Sequence, residues 1–357
     1  MSKFCIFCGA KPKDKSREHI IPQWLIELTG DPKRDALFGF MKDNDNFGKP
    51  RKYPFKHFTF PACTTCNTTH GKLEALVKPV VQKILNEISV TSEELSCLMD
   101  WVDKVRVGLW LGMQQLDKNY LDVESNFHIE KRIGQYDRLL IVQKTDRRSP
   151  RISFSSIDTP AFSFTPSAFS ITINNFNFIS ISSAFLFARR IGFPYVTDTV
   201  LSPDSDQYGA TIVKGRERLM MPLIRKPMSH NGVVIYQPQY RNGMIDGDFS
   251  IYDCDYVKNH SLDFEQGDGN LFIEHKGRIA EYSNGDSIAS LQNLPCNDDE
   301  KLSISSAIEV LKWQNWFHTQ IPDTRLLSSD QKLYIKDKFN FATKVNQSWI
   351  NALQKML

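Results

Sequence analysis

Two C-x-x-C pairs, Cys5 with Cys8 and Cys63 with Cys66, constrain this 357-residue chain more than any other feature. A C-x-x-C turn presents two thiolates to one ion, and two such turns complete a tetrahedral four-sulfur site of the kind that holds structural zinc. A redox C-x-x-C is expected ahead of a helix in a βαβ unit, a context neither pair has, so Zn²⁺ is the expected occupant. The 54 residues between the knuckles exceed a zinc-ribbon gap, so further structure must lie between them. Cys97, Cys254 and Cys296 stand alone. Cys97 falls on an apolar helical stripe and reads as a small buried hydrophobe.

Composition narrows the class. With 41% hydrophobic and 24% charged residues the chain reads as globular and not as disordered. Its 24 Phe and 6 Trp supply apolar bulk for a core, so zinc need not hold the whole chain together. The longest apolar stretch, around Phe178–Ala188, is broken by Ser180, Ser182 and Ser183 and falls short of the ~20 residues of a membrane span. The opening residues carry a cysteine pair where a signal peptide would begin its apolar core. The expectation is a cytoplasmic protein with no membrane partner. Net charge is only +3, but residues 1–73 hold 13 Lys/Arg against 7 Asp/Glu, leaving −3 for the other 284. Any polyanion is therefore expected at the N-terminal end, although ordinary surface scatter accounts for the same numbers.

Between the knuckles lies Ser16-Arg17-Glu18-His19-Ile20-Ile21-Pro22, and Asn67 directly follows Cys66. Histidine has the intrinsic pKa of a general base near neutrality, and Glu and Asn are hard oxygen donors suited to Mg²⁺. Adjacent residues of an extended segment project to opposite faces, so Glu18 can face a metal while His19 faces a water. The order C-x-x-C, Glu-His-Ile-Ile-Pro, C-x-x-C-Asn resembles the HNH endonucleases, also called ββα-metal or His-Me finger nucleases. It is most similar to their four-cysteine zinc type, which includes phage junction-resolving endonucleases. The resemblance covers roughly residues 3–76, about a fifth of the chain. It implies a zinc-stapled finger on Cys5, Cys8, Cys63 and Cys66, with His19 as catalytic base. It further implies Glu18 and Asn67 as ligands of a catalytic Mg²⁺ or Mn²⁺ that stabilises the leaving oxygen.

The pattern also departs from that family. The last family histidine often falls four residues after the Asn, where this chain has Gly71, and His70 stands one position earlier. His70 is carried as a catalytic candidate, with a third metal ligand, a phosphate contact and a solvated helix residue all open as its role. Phe58, next to His57, takes the place of an Asn that often ties down the loop behind the base. Gln23–Leu28 reads as a short helix, and Gly30–Arg51, rich in Gly, Pro, Lys, Asp and Asn, as an inserted loop. Arg17, Lys52, Lys56 and Lys72 are the candidate phosphate contacts, the two lysines at 52 and 56 being interleaved with Tyr53 and Phe55. A plain surface reading of these cations has about equal weight.

Downstream, Leu76, Val80, Ile84 and Ile88 keep a helical period interrupted by Pro79, and Thr91 with Glu94 forms a capping-box signature for a helix reaching Leu116. Short near-alternating runs at Phe127–Ile129, Leu139–Val142, Ile152–Phe154, Phe162–Phe164, Ser170–Ile173 and Phe176–Ile181 read as strands of a mainly antiparallel sheet. Ala184–Arg190 reads as a short helix, Asn242-Gly243 and Asp246-Gly247 as turns, and 267–277 as a hairpin leading into Ile279–Tyr282. Ile304–Leu357 returns to helix.

The expected class is α+β: an N-terminal zinc-stapled ββα-metal finger, then a larger mixed body with a mainly antiparallel sheet and flanking helices. The expected division is an HNH nuclease domain at 1–76, a helical connector at 77–120, a β-rich domain at 121–300 and a C-terminal helical segment at 301–357 packing on the body. The expected function is a metal-dependent endonuclease hydrolysing DNA, an architecture suited to restriction or phage defence, with the body engaging a protein partner or an activating ligand. Two rivals stay open: a non-catalytic zinc module that binds nucleic acid, and an RNA-cutting nuclease.

Overall fold

The computed structural model describes residues 4–40 except 13 and 15, 50–55, 58–116, the single positions 121, 123 and 125, and 127–183 except 135. It further describes 195–201, 208–213, 232–238, 269–275, 278–283, 285–319 and 328–357. The chain begins with the Cys5–Cys8 turn, which passes to strand β1 (Ser16–His19) and a short helix α1 (Gln23–Leu28). Strands β2 (Asp35–Phe40), β3 (Pro50–Pro54) and β4 (Thr59–Ala62) follow, and then helix α2 (Thr64–Leu85). Strand β1 pairs antiparallel with β4, His19 opposite Thr59 and Ser16 opposite Ala62, and α2 follows at once with Cys63 as its N-cap.

The stretch expected as an inserted loop instead contributes β2 and the start of β3, paired with Ala36 opposite Tyr53 and Leu37 opposite Lys52. Leu37, Phe38 and Phe40 carry strand propensity that the surrounding Gly, Asp and Asn masked. Helix α2 contains Pro79 and buries Val77, Val80, Val81 and Ile84. Leu76 and Ile88, expected on the same stripe, are 63% and 52% exposed. Val80 and Ile84 of the expected stripe are buried, joined by Val77 and Val81, while Ile88 lies beyond the end of the helix.

Helix α3 (Ser92–Leu116) opens with the expected capping box: Thr91 N–H donates to Glu94 Oε2 at 2.9 Å and Glu94 N–H to Thr91 Oγ1 at 3.2 Å. It does more than connect, being buried from Leu98 to Gly112 apart from Asp100. A helix buried all round belongs to a core. One side meets the N-terminal segment, where a Cβ on Gly112 would lie 2.8 Å from the Phe60 ring and one on Gly108 3.0 Å from Ile20. Another meets the sheet, where the guanidinium of Arg106 donates to Ser180 Oγ at 2.8 Å. A single cluster of buried apolar side chains runs from Cys5 and Ile20 through α3 to Leu140, Phe178 and Ile235.

The sheet comprises β5 (Asp137–Thr145), β6 (Ile152–Ser155), β7 (Ala168–Ile173), β8 (Phe176–Ser183), β11 (Gly232–Gln237), β12 (Leu271–His275) and β13 (Arg278–Tyr282) in the order β13-β12-β11-β5-β8-β7-β6. Every pair on that path is antiparallel. A two-residue strand β14 (Cys296–Asn297) adds parallel to β5. Strands β9 (Tyr195–Leu201) and β10 (Tyr208–Val213) form a separate antiparallel pair.

Both faces of the sheet are covered. Leu140, Val142, Phe178 and Ser180 face α3. The opposite face meets α5 (Asp299–His318), where Ser306 Oγ donates to Gln143 Oε1 at 2.9 Å and Asn177 Nδ2 donates to Ser306 Oγ at 3.1 Å. Helix α6 (Ser329–Gln354) packs on α5 through Ile350 against Ile304, Ile308 and Leu311. Phe341 and Trp349 of this helix, and Leu357 beyond it, are about half exposed. Coverage on both sides explains why β7 and β11 are buried at every position although they carry Ser, Thr and Gln.

Two expected strands are otherwise. Residues 127–128 are irregular and lead into a 3₁₀ turn at Ile129–Lys131, because the N–H groups of Ile129 and Glu130 donate to the Ile6 and Phe7 carbonyls of the first knuckle at 3.3 and 3.1 Å. Phe162–Phe164 lies in helix α4 (Pro160–Phe164), capped by Thr159 Oγ1, which accepts from Phe162 N–H at 3.1 Å, with Pro160 in the first turn. The helix expected at 184–190 and the turns at 242–247 lie outside the described residues. Among the described residues, no helix is long and apolar enough to cross a membrane.

Candidate metal centre and Glu-His site

The first knuckle is built by local hydrogen bonds. Cys5 N–H donates to Ala10 O at 2.8 Å, and Gly9 N–H to Cys5 O at 2.9 Å. Gly9 has φ +78, where a side chain would be strained, and a Cβ there would also run into the His128 ring. Ile6 N–H donates to Pro61 O at 3.0 Å and ties this knuckle to β4. Because β4 leads directly into Cys63 and α2, the second pair arrives beside the first.

The ligand atoms of Cys5, Cys8, Cys63 and Cys66 all lie within 4.8 Å of one another. Cys8 Sγ and Cys63 Sγ are 3.9 Å apart. A tetrahedron with Zn–S bonds of about 2.3 Å has S···S edges of roughly 3.8 Å, whereas a disulfide requires about 2.05 Å. The donor set therefore fits a four-coordinate soft-ligand ion such as zinc. The thiols repel as charged groups without a cation: burial, with Cys5 and Cys8 adding to it, pushes Cys63 up to about 11. Cys5 goes the other way. Burial raises it, but N–H groups of Cys8, Cys63 and Phe7 outweigh that and bring it below the usual thiol range.

Glu18, His19 and Arg17 alternate along β1 as the extended geometry requires. Glu18 is 6% exposed, His19 half-buried and Arg17 exposed. The His19 imidazole has no hydrogen-bond partner among the described residues. Glu18 points inward, where its Oε1 meets the Nζ of Lys104 on α3 at 2.5 Å, and the same ammonium is bonded to Glu74 of α2. Burial pushes the Glu18 carboxyl above its ordinary range, Lys104 draws it back and Glu74 adds to the rise.

Asn67 does not share this partner. Its Nδ2 donates to Ser16 Oγ at 2.6 Å and to Arg17 O at 3.2 Å, so it ties the first turn of α2 to β1. Mg²⁺ usually retains several waters. A nearly enclosed carboxylate already holding an ammonium does not fit a hydrated catalytic ion.

His70 faces the knuckle, stacked on Phe7 with centroids 4.0 Å apart and its Nε2 3.7 Å from Glu130 Oε1. Burial and the charge of Lys104 push it down to about 4 against the opposing pull of Glu130, so it is neutral at pH 7. It packs on Phe7 of the Cys5–Cys8 turn, where a ligand, a phosphate contact or a solvated residue was expected. Lys52 and Lys72 are exposed, and Arg17 donates to Thr59 Oγ1 and O at 2.6 and 2.8 Å. Lys56 and His57 lie outside the described residues.

The residues that sequence reasoning passed over are Lys104, Glu74 and Glu130. For Lys104 a signal existed: Asp103, Lys104 and Arg106 interrupt an apolar run from Trp101 to Trp110, and charged residues inside such a helix are expected to be paired. No family model, no curated protein and no solved structure matches this chain.

Proposed function

We propose that this chain is a nuclease of the HNH type that hydrolyses DNA phosphodiester bonds, with His19 as general base. The observation that supports the reading is the placement of His19. It ends β1 of the antiparallel β1–β4 pair beside α2 and the four-cysteine cluster, half-buried and with no hydrogen-bond partner among the described residues, back to back with buried Glu18. A neutral imidazole at such a strand end can take the proton of a water attacking phosphorus, a contribution of about 10²–10⁴ in rate. Exposed Lys52 and Lys72 and the Arg17 guanidinium would hold the backbone. Glu18, nearly enclosed and already paired with Lys104, presents no open position for a divalent ion, so the proposed chemistry places no step on one. Restriction of foreign DNA or phage defence, with a protein partner or activating ligand on the body, is a role that rests on analogy with how such nucleases are used.

One observation favours a second reading. The ion pair of Glu18 with Lys104 suits a finger that binds nucleic acid without cutting it. Cleavage of supercoiled plasmid with Mg²⁺ or Mn²⁺, wild type beside His19→Ala and with zinc counted in both, separates the two. Nicking by the wild type alone at equal zinc is the expected result. Equal cutting by both proteins removes His19 as the base, and binding without cutting by either supports the second reading. A parallel RNA substrate identifies an RNA-cutting enzyme.

A further inference from the structure

We infer that Lys104 fills with its own ammonium the cation position on Glu18 that an HNH finger would give to a divalent ion, so that Glu18 docks the finger on α3 and ligates no metal while Lys104 is in place. The inference rests on the reading of residues 5–76 as such a finger, and it concerns what the Glu18 carboxylate binds.

Three observations carry it. The first is stoichiometry: Glu18 and Glu74 both bond the one Nζ, which has three donors, and among the described residues no second cation is paired with either carboxylate. Neighbouring Arg17 is turned to Thr59, and His70 is neutral. The second is enclosure. Side-chain exposures are 1% for Lys104, 8% for Glu18 and 19% for Glu74, too little for an ion that keeps its water shell.

The third is the cost of exchange. Lys104 stands between Trp101 and Val105 on a helix buried all round, with the Phe7 ring centroid 5.7 Å from Nζ. An incoming divalent ion would have to drive the ammonium into that apolar packing as an unpaired buried charge, which is strongly unfavourable. Conversely, removing the ammonium leaves two carboxylates facing one small space. Paired hard oxygens of that kind take up either a proton or a divalent cation.

The test is Mn²⁺ binding to the zinc-loaded full chain, read by electron paramagnetic resonance of the free ion. Four proteins are compared: wild type, Glu18→Gln, Lys104→Met and the double variant. Glu18→Gln should leave the Mn²⁺ affinity of the otherwise wild-type chain unchanged. Lys104→Met should gain a site at least tenfold tighter than any in the wild type, and the double variant should lose it. A tenfold or greater weakening on Glu18→Gln alone overturns the inference, as does a zinc-replete Lys104→Met protein that gains no site. Should Lys104→Met fail to fold, recognised by less than one zinc per chain, the Glu18→Gln comparison decides by itself. Plasmid nicking is scored separately: its absence removes the nuclease reading and leaves the Mn²⁺ comparison intact.

Discussion

Cys63 donates its backbone N–H to the sulfur of Cys5 at 3.2 Å, joining residues 58 positions apart in the chain. Cys63 is also the N-cap of α2, so the four-cysteine cluster, the antiparallel β1–β4 pair and the helix that carries Asn67 and His70 share one junction. An ion filling that junction is expected to order the β1–β4 pair. The protein should contain one zinc per chain. Cys66→Ser or strong chelation should lower that and destabilise the finger by an amount on the order of the roughly 10 kcal/mol typical of structural zinc. Cys97→Ser and Cys296→Ser, away from the cluster, should keep the full equivalent. Elemental analysis beside urea unfolding checks all of these.

Two glycines of the helices should respond oppositely to alanine. Gly112 faces Phe60, a 4% exposed ring edge-on to Phe58 at 5.1 Å. Gly112→Ala should therefore lower stability by about 1–2 kcal/mol despite its better helix propensity. Gly71 in α2 has open space around it, with no atom within 4 Å of where a Cβ would stand. Gly71→Ala should raise stability by up to about 1 kcal/mol. Denaturant midpoints at fixed zinc content measure both.

Glu309 on α5 supplies a pH signature. It is 6% exposed, its Oε1 has no hydrogen-bond partner among the described residues, and burial pushes its carboxyl up to about 8 against the pull of Lys312. A carboxyl raised in the folded state binds a proton that the unfolded chain has already released. Its effect is therefore absent below about pH 4.5, lowers stability progressively as pH rises towards 8, and levels off above that. At pH 7 the loss is on the order of 3 kcal/mol. Glu309→Gln should raise the melting temperature at pH 7–8, change it little at pH 4, and flatten the profile between.

Lys72 is exposed on α2, one turn beyond Asn67 and outside the group formed by Lys104, Glu18 and Glu74. If it grips phosphate, Lys72→Ala should weaken binding of duplexes of unrelated sequence by similar factors and reduce the slope of log affinity against log salt by about 1. Fluorescence anisotropy at several salt concentrations reads this. A sequence-dependent loss, or an unchanged slope, removes Lys72 from the phosphate contacts.

The local chemistry was legible in the residues themselves. Paired cysteines at fixed spacing can converge on one ion wherever the chain brings them together, and the four sulfurs do meet within one ion's reach. The capping box at Thr91 and Glu94, the strands β5 to β8 and the helical character of the C-terminal segment are likewise written in short-range patterns. What tertiary structure decided is which partner each polar group receives. Glu18 and Lys104 are 86 residues apart, and nothing in the Glu-His motif announces an ammonium arriving from α3. His70 became a packing residue because Phe7 and Glu130 closed around it, and Phe127–Ile129 lost its strand because N–H groups at its end and just beyond found the carbonyls of a knuckle. Spacing along the chain sets which atoms can act locally. Burial and long-range pairing set the charge, the solvent access and the ligand of each, and those exist only once the helices close on the sheet.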